Sequence, residues 1–105
     1  MSDLVNHPKH YNQSGRKECW DEMKEIFGLE AVVIFDVLSA YKYHYRAGSK
    51  EGNPEKQDKA KIQNYMNHAK ELLDSLEKYD DEPVNYARFT YEKFKNELDK
   101  NNERK

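Results

Sequence analysis

The stretch Leu29–Arg46, LEAVVIFDVLSAYKYHYR, decides the fold, because it is largely apolar and contains neither glycine nor proline. Its β-branched cluster Val32-Val33-Ile34 would also suit a strand. A continuous pattern of 18 residues without a turn signal is, however, longer than a typical strand. We therefore predict a central, largely buried helix that ends before Gly48.

The segments on either side of this helix also have helical periodicity. Apolar residues at three- and four-residue steps predict a short first helix over 17–27 and a third helix over 55–79. A fourth helix follows the acidic, proline-containing start at 80–83. Its apolar residues have the spacing of a coiled-coil or bundle seam: Val84, Ala87, Tyr91, Phe94 and Leu98. The prediction is an all-α fold, about four helices in a small bundle.

A single domain over residues 1–105 fits the chain length. We expect an ordered N-terminal arm over 1–16, a helical body over 17–98 and a charged tail over 99–105 that frays.

The only cysteine, Cys19, excludes an intramolecular disulfide and is expected in the core. The absence of a leader or a membrane-length apolar stretch indicates a cytoplasmic protein that does not enter a membrane.

The charge balance also limits the classes of partner. Eighteen Lys and Arg against twenty Asp and Glu give a net charge of −2, so nonspecific nucleic-acid binding is not expected. Hydrophobic residues make up only 36% of the chain. Because so polar a chain buries little apolar area alone, we expect a homo-oligomer, with the seam of the fourth helix as a contact surface.

Two clusters combine cations with aromatic rings. The arm carries NHPKHYN at residues 6–12, and a segment with these polar side chains can surround an anion or the edge of a purine. The end of the central helix carries KYHYRAGSK at residues 42–50, where Lys42 and Arg46 lie one turn apart and can grip a phosphate together. The alternative is that both clusters are structural. The side chains of the arm then hold it against the helices, the cations offset the helix dipole, and the tyrosines pack against neighbouring side chains.

A third cluster is acidic. Glu18, Asp21 and Glu22 share one face of the first helix and could hold Mg²⁺, although such faces are often only solvated. No P-loop and no dinucleotide-binding glycine fingerprint is present. A nucleotide site in this chain therefore has to be built from the clusters above.

The motifs NHPxHY at 6–11 and KYxxRAGxK at 42–50, with Glu18 and Asp21 between them, resemble a phage-encoded family of small proteins of unknown function, DUF3310. The family is related to the nucleotide kinase of T7-like phages, which is assigned phosphate transfer to deoxynucleoside monophosphates. The resemblance covers about residues 5–50. It implies a nucleotide-binding protein and, as the finer expectation, a nucleoside monophosphate kinase without a P-loop.

The resemblance also implies roles for individual residues. The implied catalytic residues are His7, His10 and Arg46. The implied nucleotide-binding residues are Asn6, Tyr11, Lys42, Tyr43, Tyr45 and Lys50. Alanine at Arg46 is then expected to abolish binding without unfolding the protein. Tyr45 stands where many relatives have tryptophan, and Ser39 replaces an asparagine, so a binding pocket could survive without the kinase activity.

Two other classes of function remain open. One is a noncatalytic phage protein that inhibits a host enzyme or defence system, with the fourth helix as its contact surface. A weaker alternative is an all-α nucleotide pyrophosphohydrolase, in which Glu18, Asp21 and Glu22 hold Mg²⁺. That alternative requires further acids from a neighbouring helix, such as Asp36 or Asp58.

Overall fold

The computed structural model describes residues 18–47 and 55–103, and these residues form four helices without any strand. The helices are α1 (Cys19–Phe27), α2 (Leu29–Arg46), α3 (Glu55–Ser75) and α4 (Glu82–Glu103). The all-α prediction is confirmed for this part of the chain. The predicted ordered arm over 1–16 lies outside the described residues.

Helix α2 is the centre of the bundle, as its apolar sequence predicts. Its bounds are those expected, and each of the other three helices packs against it. The buried apolar residues of α2 are Val32, Val33, Val37 and Ala40. The core is completed by residues of α3 and α4: Ile62, Met66, Ala69, Leu72, Ala87, Tyr91 and Phe94. The small residues Ala40, Ala69 and Ala87 are completely buried, which lets the helices approach closely.

Gly28 makes the sharp junction between α1 and α2. Its φ of 95° and ψ of 156° lie in a region that is essentially restricted to glycine. Its N–H donates to the Lys24 carbonyl at 3.0 Å and closes α1, while α2 begins at the next residue. This single residue therefore sets the angle at which α1 lies against α2.

Helix α3 ends at Ser75, four residues before the predicted end at Tyr79. The guanidinium of Arg88 explains the difference, because it donates to the Leu76 carbonyl at 2.8 Å and to the Tyr79 carbonyl at 2.7 Å. These bonds satisfy backbone carbonyls outside the helix. The turn is therefore held by a residue of α4.

Asp81 caps α4, since its Oδ1 accepts the Val84 N–H at 3.1 Å. The predicted start near 80–83 is confirmed. Helix α4 continues to Glu103, past the predicted end of the helical body at residue 98, and the fraying of the tail over 99–105 stays a prediction. Once a helix is capped and its apolar seam is packed, it can continue beyond the last apolar residue of that seam.

The apolar seam of α4 is used inside the chain. Val84, Ala87, Tyr91 and Phe94 are all buried. These four residues of the seam therefore pack within the chain, and the homo-oligomer stays a prediction that needs another contact surface.

Cys19 is exposed, so its predicted core position is wrong. It is the first residue of α1, which contains no fully buried residue and packs on the core mainly through Trp20 and Met23. Among the described helices, none is both long enough and apolar enough to span a bilayer.

Candidate functional site

Two cations from different helices meet at the ring of Tyr43. The guanidinium carbon of Arg46 lies 4.7 Å from the ring centroid, and the Lys61 ammonium of α3 lies 4.9 Å from it. The Tyr65 ring stacks on Tyr43 with 6.0 Å between centroids and 18° between planes. The ring of Tyr43 is half-buried against the core. We call Tyr43, Arg46, Lys61 and Tyr65 the Tyr43 cluster.

A buried carboxylate of α3 holds the arginine of this cluster. Arg46 Nη2 lies 3.5 Å from Asp58 Oδ1, and the Asp58 side chain is fully buried while that of Arg46 is 36% exposed. An ion pair inside a low-dielectric environment is screened much less than one in solvent. The pair therefore fixes the end of α2 against the start of α3 and leaves part of the guanidinium open to solvent.

The structure places the described binding residues on two surfaces. Lys42 is exposed and lies one turn before Arg46, on the side of the Tyr43 cluster. Tyr45 is 78% exposed and lies against Tyr41 instead, with 6.5 Å between ring centroids. The predicted single site on α2 is thus divided. The remaining predicted residues lie outside the described part of the chain: Asn6, His7, His10, Tyr11 and Lys50.

The acidic face of α1 shows no arrangement for a metal ion. Asp21 forms an ion pair with Lys24 at 3.1 Å. Within 18–47 and 55–103, no three His, Cys, Asp or Glu side chains are grouped to hold a metal, including Glu18, Asp21 and Glu22. The Mg²⁺ site stays a prediction without structural support. The two acids that a pyrophosphohydrolase would have to add are engaged elsewhere, Asp58 by Arg46 and Asp36 by the contacts described next.

A buried Asp–His pair lies between α2, α3 and α1. Asp36 is fully buried; its Oδ1 accepts the Trp20 indole N–H at 3.0 Å, and its Oδ2 lies 2.5 Å from His68 Nδ1. The indole also stacks on the imidazole, with 4.2 Å between centroids and 29° between planes. Each of the three side chains therefore fixes the other two. We call them the Asp36 triad.

Burial raises the pKa of Asp36, and the hydrogen bonds from His68 and Trp20 act in the opposite direction. A charge with no access to water is unfavourable unless donors replace the lost hydration. The two ring N–H groups supply those donors. The triad is therefore a site where a carboxylate is kept inside the fold by specific polar contacts.

One feature of the sequence points to a buried polar contact at Asp36. Asp36 is the only charged residue between Glu30 and Lys42, in the most apolar segment of the chain. A lone acid in a buried helix requires partners. The identity of those partners was not predictable, because Trp20 and His68 are 16 and 32 residues away from it.

A polar cavity of about 370 Å³ opens beside the triad. Its lining combines carboxylates, carboxamides, the indole and the imidazole: Glu18, Trp20, Asp21, Asn64, Asn67, His68 and Glu71. Asn64, His68 and Glu71 come from one flank of α3. Most of these groups accept hydrogen bonds, which makes the cavity unlike the cationic Tyr43 cluster.

A second cavity of about 650 Å³ lies between α2 and α4 and is mainly aromatic. Large exposed side chains line it on both helices: Leu38, Tyr41, Tyr45, Tyr86 and Phe89. Lys93 approaches the Phe89 ring at 5.4 Å from its centroid. We call this surface the aromatic groove.

Comparison with known proteins gives one match. The model of a family described as protein of unknown function (DUF3310) matches residues 5–67. No curated protein and no solved structure matches the chain significantly. The matched region covers more than half of the chain and includes the whole Tyr43 cluster and Asp58. The chain therefore belongs to the DUF3310 family.

Proposed function

We propose that this protein binds nucleotides and that the Tyr43 cluster contacts their phosphate groups. The observation that carries the proposal is the meeting of Arg46 and Lys61, from two helices, at one aromatic ring. Two converging cations favour a compact anion, because both can donate charge-assisted hydrogen bonds to it. The guanidinium adds planar, bidentate geometry that suits phosphate oxygens.

The electrostatics of the cluster support an anionic ligand. Asp58 offsets one of the two positive charges, but it is fully buried, whereas Lys61 is exposed and Arg46 is partly exposed. Lys42 adds a further exposed cation one turn away on α2. The solvent-facing side of the cluster is thus positive although the protein as a whole has a net charge of −2.

Tyr43 acts in this site as a support for the cations. Its ring is already in contact with Arg46, Lys61 and Tyr65, so base stacking is not its role in this arrangement. A ring in contact with two cations attracts them through the negative charge of its faces and limits their rotamers. The pre-arranged cations then lose less conformational freedom when a phosphate binds.

The finer proposal is phosphate transfer between nucleotides by a phage-encoded protein in the host cytoplasm. Its support is the resemblance of the two motifs at 6–11 and 42–50 to phage sequences related to a nucleotide kinase. In this proposal Arg46, Lys42 and Lys50 stabilise charge on the phosphoryl group, and His7 or His10 orients the acceptor. A coupled assay with deoxynucleoside monophosphates and ATP tests turnover separately from binding.

Calorimetric titration of the intact protein with nucleoside mono- and triphosphates, with and without Mg²⁺, tests the binding proposal. Lys61→Gln removes one cation. It breaks no ion pair described for α3, so it should leave the fold intact. We expect it to weaken nucleotide binding about tenfold, the effect of losing about 1.4 kcal/mol. Lys70→Gln is the matched control, because Lys70 is an exposed lysine on the same helix, paired with Asp74. Equal affinities for both variants contradict the proposal.

The aromatic groove favours a second candidate function, that of an interaction protein. Tyr45, Tyr86 and Phe89 are each more than half exposed on this surface. We propose a second copy of this chain as the occupant, because in a two-fold dimer one apolar patch covers the same patch on its partner. The dimer would use this groove instead of the buried α4 seam. A host enzyme or defence protein as the partner is the alternative outcome.

Light scattering after size exclusion tests the groove. We expect a dimer for the native chain and a monomer for the variant Tyr86→Ser with Phe89→Ser, at unchanged helical content. Arg88 lies between these residues in sequence but holds the α3–α4 turn, so it is left intact. A native species of 12.6 kDa rules out the dimer.

A further inference from the structure

The Asp36 triad determines which nitrogen of His68 can accept a hydrogen bond. When Asp36 is ionised, its carboxylate has no hydrogen to donate, so the 2.5 Å contact with Asp36 Oδ2 places the proton on His68 Nδ1. Nε2 of a neutral imidazole is then an acceptor. Within the described residues, Nε2 makes no hydrogen bond, and His68 lines the polar cavity. The side chain is 18% exposed, so access to it is through this cavity.

One flank of α3 connects this cavity to the Tyr43 cluster. Lys61, Asn64, His68 and Glu71 follow one another at steps of three, four and three residues, which places them on one stripe of the helix. Lys61 and His68 are seven residues apart, about 10 Å along the axis. The stripe therefore runs from a cation, past an amide and an imidazole, to a carboxylate.

This order of charges matches the two ends of a nucleotide. The phosphate end is anionic and is attracted to Lys61 and Arg46. The nucleoside end has hydroxyl and amino groups that donate hydrogen bonds, and no charge at neutral pH. The three acids of the cavity, Glu18, Asp21 and Glu71, would repel a phosphate but accept hydrogen bonds from such donors.

We propose that the polar cavity binds the nucleoside end of the ligand, with His68 Nε2 and Asn64 as hydrogen-bonding partners of its hydroxyl or amino groups. This inference rests on the proposed function, because it assigns the other end of the same ligand. Asp36 and Trp20 are positioning residues: the carboxylate selects the tautomer of His68, and the indole fixes the plane of its ring. The site lies in part beyond residue 67, where the family match ends.

Titration of the ¹⁵N-labelled native chain with deoxynucleosides that lack phosphate tests the cavity alone. We expect the Nε2 signal of His68 and the side-chain amide of Asn64 to shift in a saturable way. Inorganic pyrophosphate tests the Tyr43 cluster alone, and should shift Lys61 and Arg46 but not His68. The two ligands therefore separate a failure of the cavity from a failure of the proposed phosphate site.

Two variants test the role of His68. Asp36→Asn can keep both contacts of the triad, but its amide donates to Nδ1 and moves the imidazole proton to Nε2. We expect this variant and Asn64→Ala to weaken nucleoside binding about tenfold or more, and to leave pyrophosphate binding unchanged. Asn64→Ala leaves the triad in place, so it remains informative if Asp36→Asn destabilises the fold. Asn96→Ala, exposed on α4, is the control.

The results are decisive in either direction. Nucleoside binding that depends on Asp36 and Asn64 supports the inference, even if Lys61→Gln shows that the phosphate site is wrong. Absence of nucleoside binding overturns it, as does binding that neither variant changes or that shifts residues of the aromatic groove instead.

Discussion

Replacing Arg46 by alanine leaves the carboxylate of Asp58 buried beside an empty position. Asp58 is 0% exposed and its oxygen lies 3.5 Å from the guanidinium, which is itself 36% exposed. Removing one partner of a fully buried pair costs about 3–5 kcal/mol, whereas exposed pairs contribute at most about 1 kcal/mol. Because one partner is buried and the other partly solvated, we expect a loss of about 2–3 kcal/mol. This value includes the contact with Tyr43.

Urea unfolding followed by far-ultraviolet circular dichroism measures this loss. For a domain of this size it corresponds to a decrease in Tm of about 10–20 °C. Asp58→Asn in the Arg46→Ala background should recover about half of the loss, because a neutral amide is less unfavourable in the core than a carboxylate that has lost its arginine. If Arg46→Ala loses less than about 0.5 kcal/mol, the range of an ordinary surface substitution, the buried pair is not what holds this end of α2.

This prediction revises the expectation from sequence that alanine at Arg46 abolishes binding without affecting the fold. Binding measured on that variant would combine two effects, loss of the ligand contact and loss of the native state. Lys61→Gln separates them, because Lys61 is exposed and contacts the same ring.

Three further perturbations test other parts of the fold. Gly28→Ala should cost about 1–3 kcal/mol, because alanine is strained at φ 95° and its Cβ would lie 2.8 Å from Glu30 Oε1; thermal unfolding measures this. Asp81→Ala should cost about 1 kcal/mol through the lost bond to the Val84 N–H, whereas Asp81→Ser should retain most of it in the same assay. Since burial raises the pKa of Asp36, the folded state retains its proton where the unfolded state has lost it. The stability of the native chain should therefore fall, relative to Asp36→Asn, as pH rises from the ordinary aspartate pKa through the raised one. If urea unfolding shows the same difference in unfolding free energy between the two proteins across that pH range, the prediction is contradicted.

Local sequence patterns predict the helices, because helix formation depends mainly on residues that are close in sequence. The bounds of α2 follow from its apolar run and the glycines at its ends, and the start of α4 follows from its cap. The end of α3 differs from the predicted one because Arg88, 12 residues beyond Leu76, satisfies a carbonyl there. Sequence periodicity contains no information about such a long-range donor.

The candidate site was predictable in part for the same reason. The phosphate-binding role of Lys42 and Arg46 was inferred from spacing within one helix. Lys61 was missed because its position beside Tyr43 depends on how α3 packs against α2. The sequence predicts Tyr45 in the same site, but its position on the helix directs it toward the aromatic groove. The Asp36 triad requires three helices to be assembled before its residues meet.

The most direct test of the central claim is a nuclear magnetic resonance titration of the labelled native chain with a deoxynucleoside monophosphate. The signals to follow are the Arg46 side-chain Nε–H, the Lys61 ammonium and the Tyr43 ring, with Tyr86 and Phe89 as reporters of the aromatic groove. We predict saturable shifts at the first three residues and none at the two groove residues. Shifts confined to Tyr86 and Phe89, or no shifts with any nucleotide, would contradict a phosphate site at the Tyr43 cluster.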